Sequence, residues 1–326
     1  MENFFKNIMP RRKGPDYLSK MPSIIMLEIL KNCDYWKIHA LRNTCHYLRD
    51  FIDDVQPDAT IDSIKISVYK DSIFLDFESG SFVVKYQKSQ SIIWKKKRQD
   101  YGGKFCQDLN YILGHPKLTV NDFFVSLNLV GPNTAIKFYS DLEALLKSMV
   151  QPLSVRRLTL QVFFEEDVMS VLPYFEAGKL EAISVNRTEL SDVQLSLDRI
   201  METDQFKKAK EIEIAQFMVD APIHHFCHFE KVRLYVSTIR LSDVLTIKQT
   251  FFDSPNAQFF QVDFERFPEV SRLVEALGPP HMMPRRNWFF EVPNSNRAVS
   301  ISLLYAESLL SGDVLFIVRT TSNLGN

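Results

Sequence analysis

The chain has 326 residues, room for two domains or one elongated one, and its 45% hydrophobic and 24% charged content is that of an ordinary folded protein. Lys and Arg total 39 against 40 Asp and Glu, so the net charge is −1 and the basic excess of a nucleic-acid binder is missing. No stretch approaches the roughly 18 apolar residues that cross a membrane, and the N-terminus lacks an apolar core of signal-peptide length.

Four cysteines, at 33, 45, 106 and 227, show neither CxxC spacing nor the density of a disulfide scaffold. They are expected to be free thiols in a cytoplasmic or nuclear protein, with Cys45 buried. Asn186-Arg187-Thr188 is a formal sequon with nothing beside it to suggest secretion. The basic runs at 11–13 and 95–98 read as solvated loops.

In chain order, residues 1–20 are expected to be flexible. Met21-Pro22 then opens a helix, since proline's missing N–H is an orphan donor there anyway. Met21, Ile25 and Ile29 stack four apart, and Met26 and Leu30 broaden the stripe. Asp34 is a candidate N-cap for the next helix, where Ile38, Leu41, Cys45, Leu48 and Ile52 predict one apolar face held for about four turns. So small a helical unit cannot cover all this apolar surface itself and requires a partner.

Ile64, Ile66 and Val68, then 73–77 and 82–86 around the turn at 78–81, predict strands and a β-hairpin. Residues 87–104, ending in Gly102-Gly103, read as a loop, and Phe105–Leu113 as a short helix stopped by Gly114 and Pro116. A pattern of the form L-x-x-L-x-L then recurs. It is met by Val120, Phe123 and Val125; Val155, Leu158 and Leu160; Leu180, Ile183 and Val185; Ala209, Ile212 and Ile214; Phe229, Val232 and Leu234; and Phe259, Val262 and Phe264. The starts lie 20 to 35 residues apart, with helical stretches between them, as in leucine-rich repeats. Only Asn128 supplies the asparagine that ladders regular repeats. Trp288–Val292, 299–304 and 314–318 predict an antiparallel cap.

Met21-Pro22, Ile29-Leu30, Leu41-Arg42, Cys45 and Leu48-Arg49 together resemble an F-box, with Thr44, His46 and Leu48 departing from its usual pattern. Asp108-Leu109, Ile112-Leu113, Pro116-Lys117-Leu118, Arg157–Leu160 and the aromatic tail resemble an FTH domain. The resemblance implies an F-box docking on the Skp adaptor and cullin of an SCF (Skp–cullin–F-box) ubiquitin ligase. Its repeat region would then present a variable surface to a protein substrate.

The expected fold is α/β: a helical F-box (21–60), a β-hairpin and basic linker (61–104), an irregular leucine-rich-like solenoid with an antiparallel cap (105–320), and a tail (321–326). Adaptor contacts are expected at Pro22, Ile25, Ile29, Leu41 and Leu48, with Leu30 and Cys45 as contacts or as support behind them. The outward positions of the repeated strands are the candidate substrate face. The expected anchors are Phe124, Arg157, Arg233 and Tyr235, with Gln161 and Asn186 beside them. Glu211, Glu213, Asp263 and Glu265 are expected to set selectivity by repelling wrong partners. The alternative is a repeat scaffold that never meets a ligase.

No enzyme signature stands out. His224-His225-x-Cys227-His228 has ligand-like spacing but no second pair nearby, so no metal, cofactor, nucleic acid or membrane partner is expected. Glu165-Glu166-Asp167 is expected to open a helix, where carboxylates suit the positive dipole end.

Overall fold

The computed structural model describes residues 21–77, 82–87, 101–187, 194–281, 286–305 and 314–322. Residues 1–20, the turn at 78–81, the basic run at 95–98, Thr188 of the sequon and residues 323–326 lie outside that set. The chain divides into two compact units, Met1–Arg156 with Tyr174–Glu176 and Arg157–Pro173 with Ala177–Asn326. That boundary falls inside the stretch expected as one repeat domain.

In the first unit three short helices come first: α1 (Ser23–Lys31), α2 (Tyr35–Arg42) and α3 (His46–Val55). Pro22 is the N-cap of α1, and the Asp34 carboxylate accepts the Lys37 N–H at 2.9 Å to cap α2. The face expected to run unbroken from Ile38 to Ile52 is interrupted at 43–45. The Asn43 side chain donates to the His39 carbonyl at 2.9 Å and Thr44 Oγ1 to that of Leu41 at 2.7 Å. These local bonds compete with helix continuation, and Cys45 restarts the chain in extended backbone (φ −155°) as the α3 N-cap. The cysteine is half-buried, short of the burial expected.

Next come β1 (Ala59–Tyr69), β2 (Ser72–Phe77) and β3 (Phe82–Gln87), an antiparallel meander containing the expected hairpin. The helix α4 (Tyr101–Leu113) begins before Phe105 and takes in Gly102-Gly103, expected as loop. Phe105, Leu109 and Ile112 are fully buried along it, and that burial outweighs the poor helix propensity of two glycines. The strand β4 (Leu118–Leu127) pairs with β1 in parallel, Ile61 with Val120, Ile64 with Phe123, Ile66 with Val125. Thus Ile61…Ile64-x-Ile66 carries the same pattern as the strands recognised downstream, and all three isoleucines are 0% exposed. The helix α5 (Pro132–Lys147) buries Ala135, Tyr139, Leu142 and Leu146.

The second unit takes up β5 (Ser154–Gln161) from Arg157 and continues with α6 (Glu165–Met169), β6 (Ala182–Asn186) and the two-residue β7 (Gln194–Leu195). The short helices α7 (Asp198–Glu202) and α8 (Asp204–Lys208) lead into β8 (Glu211–Val219), β9 (Lys231–Thr238), α9 (Leu241–Asp253), β10 (Phe259–Arg266) and α10 (Val270–Leu277). Three strands close the chain: β11 (Arg286–Glu291), β12 (Arg297–Tyr305) and β13 (Val314–Ser322).

Here the sheet order is β5-β6-β8-β9-β10-β13-β12-β11, parallel through β10 and antiparallel after it. One row of the register joins Leu158, Ile183, Ile212, Val232, Phe260 and Val318, none more than 3% exposed. The result is a mixed α/β architecture, N-terminal helices followed by a mostly parallel sheet.

One expectation needs correction here. Phe260, not Val262, stands opposite Val232, and Ala257, 3% exposed, takes the buried place that Phe229 holds one strand earlier, where Phe259 was expected. The last pattern is therefore Ala257…Phe260-x-Val262, and Phe259 points outward. In β8 the register slips between Glu213 and Met218, where exposed Gln216 adopts φ 64°, a left-handed bulge.

The expected acidic helix start is present at α6. Asp167, 2% exposed, accepts the Phe163 and Phe164 N–H groups at 2.9 and 3.1 Å. Arg297 of β12 ties the cap to the end of α9, donating to the carbonyls of Phe251, Ser254 and Pro255 at 2.9, 3.1 and 2.6 Å. At the β11 edge His281 makes a single antiparallel bridge to Asn287, and Pro279-Pro280 just before it have no N–H to extend the pairing.

Candidate interaction surfaces

The helix α1 reads SIIMLEILK, six apolar residues in nine, more than one inward stripe can hold. Met26 and Leu30 take the inward face at 0% and 1% exposure. Ile24, Ile25 and Leu27 are left outside at 77%, 47% and 36%, with Pro22 exposed before them. Tyr47 on α3, 42% exposed, stacks on Phe51 with 6.3 Å between ring centroids.

Of the residues expected to touch an adaptor, Pro22 and Ile25 are exposed and Ile29, Leu41 and Cys45 half-buried. Leu30 and Leu48 are buried in the chain's own core at 1% and 2%. Leu48, expected as a contact, thus lies inside the chain's own core. Ile24, Leu27 and Tyr47 went unrecognised. The signal was the Ile24-Ile25 doublet beside Met26, which forces one isoleucine off the inward stripe.

This surface has rigid backing within its unit. Tyr35, 5% exposed, lies 5.1 Å from Trp36, 6.1 Å from His39 and 6.1 Å from His115 (ring centroids). Trp36 in turn packs edge-on against Phe77 at 4.9 Å. His39 Nε2 is hydrogen-bonded to the Tyr111 hydroxyl of α4 at 3.2 Å. Burial lowers the pKa of His39, with Arg42 adding to the effect, and burial also lowers that of His115, helped by Lys117. Arg42 donates to both oxygens of Asp53, Nε at 2.7 Å and Nη2 at 2.9 Å, and this bidentate bond holds the Asp53 carboxyl below its ordinary range.

The second surface is the outward face of the strands. In the first unit Phe124 is half-buried, with the Lys65 ammonium 5.3 Å from its ring centre, and Ser126, also expected outward, is 6% exposed and hydrogen-bonded to Ser67 at 3.0 Å. In the second unit Arg157 is exposed, and Gln161, Asn186 and Asp263 are half-buried. Glu211 and Glu213 meet Lys231 and Arg233 at 2.6 and 3.5 Å, while the Tyr235 hydroxyl donates to exposed Glu265 at 3.0 Å. The carboxylates expected to repel wrong partners are thus partly neutralised by their neighbours. Phe259 is the residue the repeat pattern concealed. Its ring centre lies 5.3 Å from the Arg233 guanidinium and 5.5 Å from that of Arg319.

Elsewhere, the His224–His228 cluster disperses. The two imidazoles of His224 and His225 lie 4.2 Å apart (ring centroids) and tilted by 37°, the Cys227 thiol donates to the Ile223 carbonyl, and His228 is hydrogen-bonded to the Phe206 carbonyl at 3.1 Å. Among the described residues no group of three or more His, Cys, Asp or Glu is placed to hold a metal, and no helix is long and apolar enough to cross a membrane. None of the four cysteines, all among the described residues, is in a disulfide.

Comparison with known proteins falls on the same regions. The F-box domain matches residues 18–59, which contain α1 to α3, and the FTH domain matches residues 136–275. F-box A protein 224 of Caenorhabditis elegans is 22% identical over 247 residues, 72% of this chain and 63% of that relative. No solved structure matches. The chain therefore carries an F-box domain followed by an FTH domain, in the order its sequence motifs implied.

Proposed function

We propose that this chain is the substrate-receiving subunit of an SCF-type ubiquitin ligase. The helices α1 to α3 dock on the Skp adaptor and through it on the cullin, and the strand face of the FTH region, as a leucine-rich-like repeat, holds a protein substrate. The observation that carries the proposal is the apolar band of Ile24, Ile25 and Leu27, exposed on the segment that matches the F-box domain. A monomer gains nothing by keeping three large aliphatic side chains on one nine-residue helix in water, whereas an adaptor groove would cover them. The chain's contribution to ubiquitin transfer is proximity, with no catalytic side chain required of it.

Truncating a central anchor of this band is expected to cost about 2 kcal/mol of adaptor affinity, near 30-fold. The experiment is capture of purified adaptor by the full chain, with Ile24→Asp and Ile25→Asp combined. Capture abolished in a folded protein supports the docking. Unchanged capture leaves the scaffold reading in its place.

A further inference from the structure

On the outward face of the second unit the register sets Phe259, Arg319, Ser300 and Phe289 side by side on β10, β13, β12 and β11. The next row on the same face is Gln261, Ile317, Ser302 and Asn287. Neither row holds a carboxylate, and Arg319 is the cation between them. Lys231 and Arg233, one strand away, are already matched to Glu211 and Glu213 at 2.6 and 3.5 Å. Among the described residues no acidic group is paired with Arg319, whose guanidinium lies over the ring of Phe259, 5.5 Å from its centre.

A guanidinium held over a ring in this way uses none of its N–H donors on a carboxylate. That is the arrangement suited to a bidentate oxyanion. Ser300 beside it is too short to fill the space before Phe289. Phe289 is 58% exposed and stands three strand spacings from Phe259, roughly 14 Å. An arginine pre-set on an aromatic, next to an open aromatic contact, is a place where one anionic and one apolar side chain can be received together.

We infer that Arg319, stacked on Phe259, receives an anionic side chain of the recognised protein, a carboxylate or a phosphate, with an apolar neighbour of that side chain resting on Phe289. This rests on the reading of the strand face as the substrate-receiving surface. It adds the chemistry of the segment recognised: anionic, with a large apolar residue adjacent. Arg233 contributes less, because Glu213 already occupies it.

The test uses the full chain and three fluorescein-labelled peptides, identical except for a central phosphoserine, glutamate or glutamine between leucine and phenylalanine. Fluorescence anisotropy should show an anionic peptide binding about tenfold or more tightly than the glutamine peptide, with the preference weakening as salt is raised. Arg319→Gln should abolish the preference and Arg319→Lys retain only part of it, since lysine keeps the charge and loses the fork. Phe259→Leu, which keeps an apolar residue and removes the ring, should give an intermediate loss, and its melting midpoint reports whether the sheet is intact.

Preference for phosphoserine alone identifies a phosphorylated segment, and preference for both anionic peptides a carboxylate one. Equal binding of all three, no binding, or a preference that survives Arg319→Gln overturns the inference. Adaptor capture by the same variants is expected to be unchanged. Failure of capture by the wild-type chain would reject the ligase reading separately, without touching the peptide result.

Discussion

The N-terminal helices and the strand ladder of the second unit handle apolar residues in opposite ways. In the ladder the apolar positions of the repeated pattern are sealed, each row backed by the next, and from β5 to β9 what faces outward is mostly charged or polar, with Glu211, Glu213 and Tyr235 bonded to neighbouring strands. In α1 the apolar residues outnumber the inward positions, and the surplus is left in water. The difference separates two kinds of surface. The helical one asks for apolar cover, which suits a fixed partner. The ladder offers charge and hydrogen-bonding pattern, which suits discrimination among partners.

The largest effect should come from exchanging the two treatments. Phe206 is 2% exposed and packs edge-on against Phe229 at 5.0 Å beneath the ladder. Phe206→Ala is expected to cost about 3–5 kcal/mol by chemical denaturation. Ile24→Asp, on the helix that leaves apolar residues outside, should stay within about 0.5 kcal/mol of the parent. Comparable losses at both sites would erase the distinction.

A medium effect is expected at α6, where the ladder region relies on a buried carboxylate. Asp167→Ala removes the acceptor for two N–H groups at the helix start and should destabilise by about 1–2 kcal/mol, read by the same denaturation.

The smallest concerns pH and belongs to the helical region. His39 and His115 both have lowered pKa values in the folded protein, chiefly through burial, so the unfolded chain takes up protons first. Their contribution to stability is complete above the ordinary histidine pKa of about 6.5 and is lost as pH falls through the lowered folded values. The melting midpoint should therefore drop as pH falls below about 6.5, and His39→Gln with His115→Gln should flatten that drop. An identical pH dependence in the double variant would assign it elsewhere.

Most of the ladder was legible in the sequence because its apolar positions obey one spacing that burial enforces in strand after strand. Where competing local chemistry intervened, the reading slipped. Asn43 and Thr44 bond to the preceding carbonyls and break the helical face that apolar spacing alone extends to Ile52. Ile61, Ile64 and Ile66 follow the pattern but stand 59 residues before Val120, outside any repeat spacing, because β2, β3 and α4 intervene. Phe259 fits the pattern as an apolar residue, yet cross-strand pairing puts it opposite Lys231 and Arg319. No single-sequence signal reports such pairing. On the helical surface the apolar surplus could be read, but which of Ile24, Ile25 and Leu48 carries it depends on how α1 and α3 pack.

The central claim, that the surplus on α1 is a docking surface, is tested most directly by adaptor capture. The full chain and its Ile24→Asp, Ile25→Asp variant would be compared at equal concentration, each shown to be folded by its melting midpoint. We predict that the parent retains purified Skp adaptor and the variant loses it with no change in midpoint. Equal retention by both proteins, or none by the parent, would contradict the account.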